Sequence, residues 1–179
     1  MLVDDFRTEY ERYRFLGERA MAQMSDAALN ALPAPDANSA AMIARHVGSN
    51  LASRFTDFLT TDGEKPWRDR DGEFETREYG RGDVERVWRD GWTVLSEQLA
   101  RLTDDDLPRT VTIRHQPLTV HAALSRSLSH MASHVGQLVL LGRIHAGSDW
   151  QTLSIPRGKS AAVNQAAAAR AAKKFPAKI

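Results

Sequence analysis

The chain has 179 residues, 42% apolar and 26% charged, which is enough for one domain with its own core. It contains no cysteine. That excludes a disulfide scaffold, a cysteine nucleophile, a thiolate zinc site and an iron–sulfur cluster, and leaves any metal to histidine or oxygen ligands. Of its 24 Lys and Arg and 23 Asp and Glu, six bases and no acid lie in residues 157–179; the body keeps 18 bases against 23 acids, a balance of −5 that argues against nucleic-acid binding.

The opening Met1-Leu2-Val3-Asp4-Asp5 lacks the basic-then-apolar layout of a signal peptide, and no apolar run approaches a membrane span, so the expectation is a soluble, cytoplasmic protein. A first helix is predicted from Val3 to Leu29, with Phe6, Tyr10, Tyr13, Ala20 and Met24 on one stripe. Leu32-Pro33-Ala34-Pro35-Asp36 breaks it, and Asn38-Ser39 offers the N-cap of a second helix reaching Leu59. A long charged loop, 62–74, follows. It reads either as a solvated, salt-bridged segment or as a functional loop. Asp83 is the expected cap of a third helix, with Val84, Val87, Trp88, Trp92, Leu95, Leu99 and Leu102 as its stripe, ended by Asp104-Asp105-Asp106 and Pro108. Thr110–Arg114 and Pro117–Thr119 suit a short β-hairpin. Thr119 caps a fourth helix running to Ala146. Ala161–Ala172 has helix propensity without apolar periodicity and reads as a surface helix or a frayed one. The basic tail reads as a solubilising segment folded on the acidic body, or as a contact for an anionic partner. The fold class is therefore all-α: a four-helix bundle over residues 1–160, with a hairpin before the fourth helix and an alanine-rich basic extension over 161–179.

Bundles build their sites from side chains on facing helices. On a wheel of about 100° per residue, His46, Asn50, Arg54 and Asp57 fall within about 60° of Ile43, beside the buried face of the second helix. Polar groups there cost free energy unless paired, coordinated or wetted. On the fourth helix His130 and His134 lie one turn apart at the edge of the Val120, Leu124, Met131, Val135, Leu138 face. The spacing is a half-site for Zn²⁺ or a similar cation. It is not the metalloprotease motif, which needs a glutamate where Met131 stands. His46 supplies a third imidazole, and Asn50, Arg54, Ser127 and Gln137 are available around them. The same pattern also fits three core-edge histidines bonded to backbone carbonyls. His115, His121 and His145 read as structural.

Asn38–Asn50, Ser53–Lys65, His130–Gln137 and Leu153–Ser160 together resemble the DinB-like superfamily of four-helix-bundle metalloproteins. That group includes the YfiT-type bacillithiol transferases, and within it the resemblance is to a branch described only as a domain of unknown function. The resemblance covers about residues 5–160. It implies an up-up-down-down bundle, a homodimer, and a divalent ion held by His46, His130 and His134. Ser133 departs from the branch, where the residue before the last histidine is often aromatic. Zn²⁺ or Ni²⁺ is the expected metal, ahead of Fe²⁺ or Mn²⁺.

Three histidines leave a coordination position open, as in catalytic rather than structural zinc sites. With no cysteine in the chain, a thiol nucleophile has to arrive as a low-molecular-weight cosubstrate, and the resemblance implies a metal-dependent thiol S-transferase. In that scheme Asn50 and Gln137 orient ligands or substrate, and Arg54 or Arg126 holds a substrate carboxylate. Two other readings stand beside it. One is a metal-dependent hydrolase with Asp57 as base; the other is a non-catalytic metal- or ligand-binding homodimer. The resemblance also raises a place for the 62–74 loop at the pocket mouth or a dimer contact.

Overall fold

Two hydroxyl caps start the helices that carry the histidines. Ser39 Oγ accepts from the Met42 amide (3.2 Å) ahead of one helix, and Thr119 Oγ1 from the Ala122 amide (3.1 Å) ahead of the other. The computed structural model describes residues 1–174, with side chains described to 170. Its helices are α1 (Leu2–Met21), α2 (Asp26–Asn30), α3 (Ala40–Phe55), α4 (Arg81–Arg101), α5 (Val120–Ala146) and α6 (Ser160–Lys174), and its strands are β1 (Thr110–Ile113) and β2 (Gln116–Thr119). The long helices α1, α3, α4 and α5 enclose a core in which Tyr10, Phe55, Trp88, Trp92, Leu124 and Leu138 are fully buried.

Three expected boundaries shift. The first predicted helix is two, α1 and α2, because Ser25 takes an N-cap position and its hydroxyl accepts from the Ala28 amide at 3.1 Å. The second predicted helix ends at Phe55 rather than Leu59, and Asp57 takes a left-handed φ of 49°. The third begins after Gly80; Asp83 lies in its first turn and is not its cap.

Helix direction also differs from the expectation. Phe6 meets His121 edge-on, and Ala20 lies against Gly142, so α1 and α5 run parallel. Arg7 donates to the carbonyls of Leu99 and Leu102 whereas Gly17 meets Trp88, so α1 and α4 are antiparallel. Gly48 packs on Val87 and Gly91, and Phe55 lies beside Val94 and Arg101, so α3 and α4 are parallel. The bundle is therefore up-down-down-up, not the up-up-down-down that the resemblance implied. The reason lies in the connections. Residues 22–39 and 102–119 each return the chain at the end where it arrived, and only residues 56–80 traverse the bundle; an up-up-down-down bundle needs two such crossings.

The hairpin is antiparallel, pairing Thr110 with Thr119 and Ile113 with Gln116. Its turn residues Arg114 and His115 have φ of 52° and 60°, as a two-residue type I′ turn requires, but carry side chains that disfavour it. Asp62 in the crossover offsets this cost by accepting both turn amides at 2.9 and 2.8 Å. Burial would raise the Asp62 carboxyl, yet these bonds and the Glu64 amide hold it below the usual aspartate range. α6 is a surface helix, exposed over its described side chains, in keeping with its lack of apolar period. Lys178 of the basic tail lies outside the described residues. No helix among the described residues is long and apolar enough to cross a membrane.

Where α3 crosses α4, a Cβ on Gly91 would collide with the Gly48 backbone. Gly136, exposed on α5, has open space around it. Gly91→Ala is expected to cost about 1–3 kcal/mol or more by overpacking, and Gly136→Ala to gain up to about 1 kcal/mol through helix propensity. Urea unfolding of the two variants beside the parent checks both signs.

Candidate metal centre

α3 and α5 face each other antiparallel, and the midpoint of α3 meets the midpoint of α5 at three imidazoles. His46 Nε2 lies 3.2 Å from His130 Nε2, and His134 Nε2 lies 3.0 Å from the same atom. The three ligand atoms are within 4.8 Å of one another. His46 is buried; His130 and His134 are half-buried. Donors bound about 2.1 Å from one ion stand roughly 3.0–3.4 Å apart, and the distances from His130 to His46 and to His134 both fall in that range. The cluster is thus capable of coordinating a divalent ion.

The proton inventory points the same way. His46 Nδ1 donates to Glu73 Oε2 at 2.8 Å, and His134 Nδ1 donates to Gln137 Oε1 at 3.2 Å. Both rings then turn bare Nε2 lone pairs inward, and a neutral His130 has one Nε2 proton at most to share between them. Burial, reinforced by the neighbouring imidazoles and guanidinia, pushes His130 down to about 4; burial lowers His134 as well. Imidazoles held neutral at His130 and His134, with their Nε2 atoms gathered on that of His46, are a ligand set suited to a cation.

The crossover supplies what the sequence reading missed. Its short 3-10 turn, Asp71–Phe74, lays the Phe74 ring 4.8 Å from the His46 ring and points Glu73 at His46. Arg68, almost wholly buried, grips the same carboxylate through Nε at 2.8 Å and Nη2 at 2.9 Å. Burial would raise Glu73, but the hydrogen bonds from His46 and Arg68 outweigh it and hold the carboxyl below the usual glutamate range. A carboxylate behind a ligating imidazole fixes its tautomer and raises its basicity. The alternating charges of the loop concealed this residue, because a wheel argument has no purchase outside a helix.

From the histidines a pocket of about 330 Å³ runs along the α3–α5 groove toward Phe55, Phe58 and the hairpin. Asn50, Arg54 and Arg126 all line it. Asn50 is buried, Arg126 is exposed, and the Arg54 guanidinium is engaged by the Gly63 carbonyl (2.5 Å) and Glu64 (3.2 Å). Gln137 lies outside the pocket lining and reaches the site only through His134. Asp57 is not at the site: past the end of α3 its exposed side chain lies with Glu97 and Arg101 of α4. His115, His121 and His145 stand apart from the cluster. The charged loop divides in two. Asp62 and Glu64 brace the hairpin and Arg54, while Arg68 and Glu73 brace His46.

A family model described as "Protein of unknown function (DUF1572)" matches residues 1–159. That family is a distant relative of the DinB-like superfamily whose motifs the sequence resembles. No curated protein matches the chain.

Glu73→Gln keeps the size of the side chain and removes the charge behind His46. It is expected to weaken Zn²⁺ binding by about 10–100-fold. Competition against a chromophoric chelator measures the loss, and an unchanged helical circular dichroism spectrum separates it from misfolding.

Proposed function

Because the chain belongs to the DUF1572 family, whose description assigns no activity, we propose its function from the site itself: a metal-dependent thiol S-transferase with the ion held by His46, His130 and His134. One observation carries the reading. The three imidazoles form the end wall of a pocket with room for a small substrate, rather than a closed four-ligand cage. When bound, a divalent ion there lowers the pKa of a thiol and orients its sulfur. Glu73 and Gln137 keep the His46 and His134 protons on Nδ1, so that both Nε2 atoms are free to ligate. Phe74 covers His46 and limits water on that side. Asn50 offers an amide to the substrate within the pocket. In the transfer, the S–H proton leaves to solvent, the sulfur electron pair forms a bond to an electrophilic carbon, and the leaving group departs with the pair of the broken bond.

The hydrolase alternative loses its base. Asp57 lies elsewhere, no acidic residue lines the pocket among the described residues, and Glu73 is engaged by His46 and Arg68. A homodimer, as the resemblance implies, is compatible with this reading and is not required by it.

Elemental analysis of protein purified without a histidine tag tests the proposal. About one divalent ion per chain is expected, lost in both His46→Ala and His130→Ala, followed by consumption of a low-molecular-weight thiol against an alkylating electrophile. A parent protein that takes up neither Zn²⁺ nor Ni²⁺ overturns it.

A further inference from the structure

The pocket is cationic. Arg54, Arg70, Arg114 and Arg126 line it, and no acidic residue does among the described residues. Glu64, just behind the wall, pairs with Arg54 at 3.2 Å and Arg114 at 2.8 Å, which accounts for those two guanidinia. Arg70 stacks over Phe74 and has Asp71 at 3.9 Å. Arg126 has no carboxylate within ion-pairing reach among the described residues. It stands four residues before His130 on α5, and Ser127 three before; Asn50 stands four after His46 on the antiparallel α3. All three therefore sit near one level, about 4.5–6 Å along the bundle from His46 and His130 and farther from His134. Ser127 is 8% exposed; its Oγ has no partner at full hydrogen-bond geometry, and its polar neighbour is the Tyr10 hydroxyl, which itself donates to the Leu124 carbonyl. A buried hydroxyl so weakly engaged, lining the same pocket as an unpaired guanidinium, suits an oxyanion.

We propose that Arg126, Ser127 and Asn50 form a carboxylate subsite one helical turn from the metal, so that the thiol substrate is a small mercapto-carboxylate. Arg126 supplies charge at the rim, Ser127 and Asn50 donate from the floor, and the sulfur reaches the ion. The class of substrate rests on the thiol reading above; the subsite itself does not. Arg54 is excluded from the role because the Gly63 carbonyl and Glu64 already engage it.

The test uses protein loaded with Co²⁺, in which thiolate binding gives a sulfur-to-cobalt charge-transfer band. Mercaptopropionate and neutral mercaptopropanol are titrated against the parent and against Arg126→Gln, an exposed position where the variant folds. Mercaptopropionate is expected to bind about tenfold or more tightly than mercaptopropanol. In Arg126→Gln that preference falls to near unity while mercaptopropanol affinity holds. Equal affinities in the parent, or a preference that survives the substitution, overturn the subsite. If neither thiol gives the band, propionate is titrated calorimetrically. Binding that is lost in Arg126→Gln sustains the subsite and sinks the thiol reading; no binding overturns the subsite as well.

Discussion

The chain travels the length of the bundle once, through residues 56–80, and that single crossing governs most of what surrounds it. It sets α3 and α4 parallel, and with the two same-end connections it leaves α3 antiparallel to α5. Only in that arrangement do residues one turn beyond His46 and one turn before His130 share a level. The crossing segment then does chemical work at both ends. Asp62 clamps a hairpin turn whose side-chain-bearing residues would otherwise resist positive φ, and that hairpin closes the far end of the pocket. Glu73 and Arg68 reach the other end and hold His46.

Burying His46, Glu73 and Arg68 together is costly. Ionised groups in an apolar interior need both pairing and hydrogen bonds before the cost is met. Here the bidentate Arg68–Glu73 pair meets much of it, although Arg68 Nη1 stays without a partner. The histidines meet none of it among themselves, because their inward lone pairs outnumber the protons available. A fold that needed only stability would place leucine or methionine at such positions. A cluster capable of coordinating a cation gives a physical reason for this local violation of core rules, because binding would repay its cost.

The same logic separates the pocket's arginines. Those at the hairpin end share a glutamate and serve the architecture. Arg126 has no acidic partner among the described residues and shares the pocket lining with the Ser127 hydroxyl. Among the described residues the pocket lining carries guanidinia and no acid, a charge balance complementary to an anion.

Local periodicity and capping made the helices legible. Period-3.6 stripes located the four long helices, Ser39 and Thr119 marked two starts, and the β-branched run at Thr110 announced the hairpin. The i, i+4 pair at His130 and His134, with His46 on a core edge, was readable because helix geometry converts spacing directly into direction. What escaped the sequence lay where no periodic backbone links spacing to position. Ser25 splits the first helix through one hydroxyl bond, and Asp57 leaves the stripe because α3 ends two residues before it. The direction of α3 depends on where each connection lands. Glu73 meets His46 across 27 residues of crossover, and Arg126 differs from Arg54 only in what the tertiary fold puts beside each guanidinium. Repeating hydrogen bonds along one helix are written in neighbouring residues, whereas a partner from another element exists only once the chain has packed.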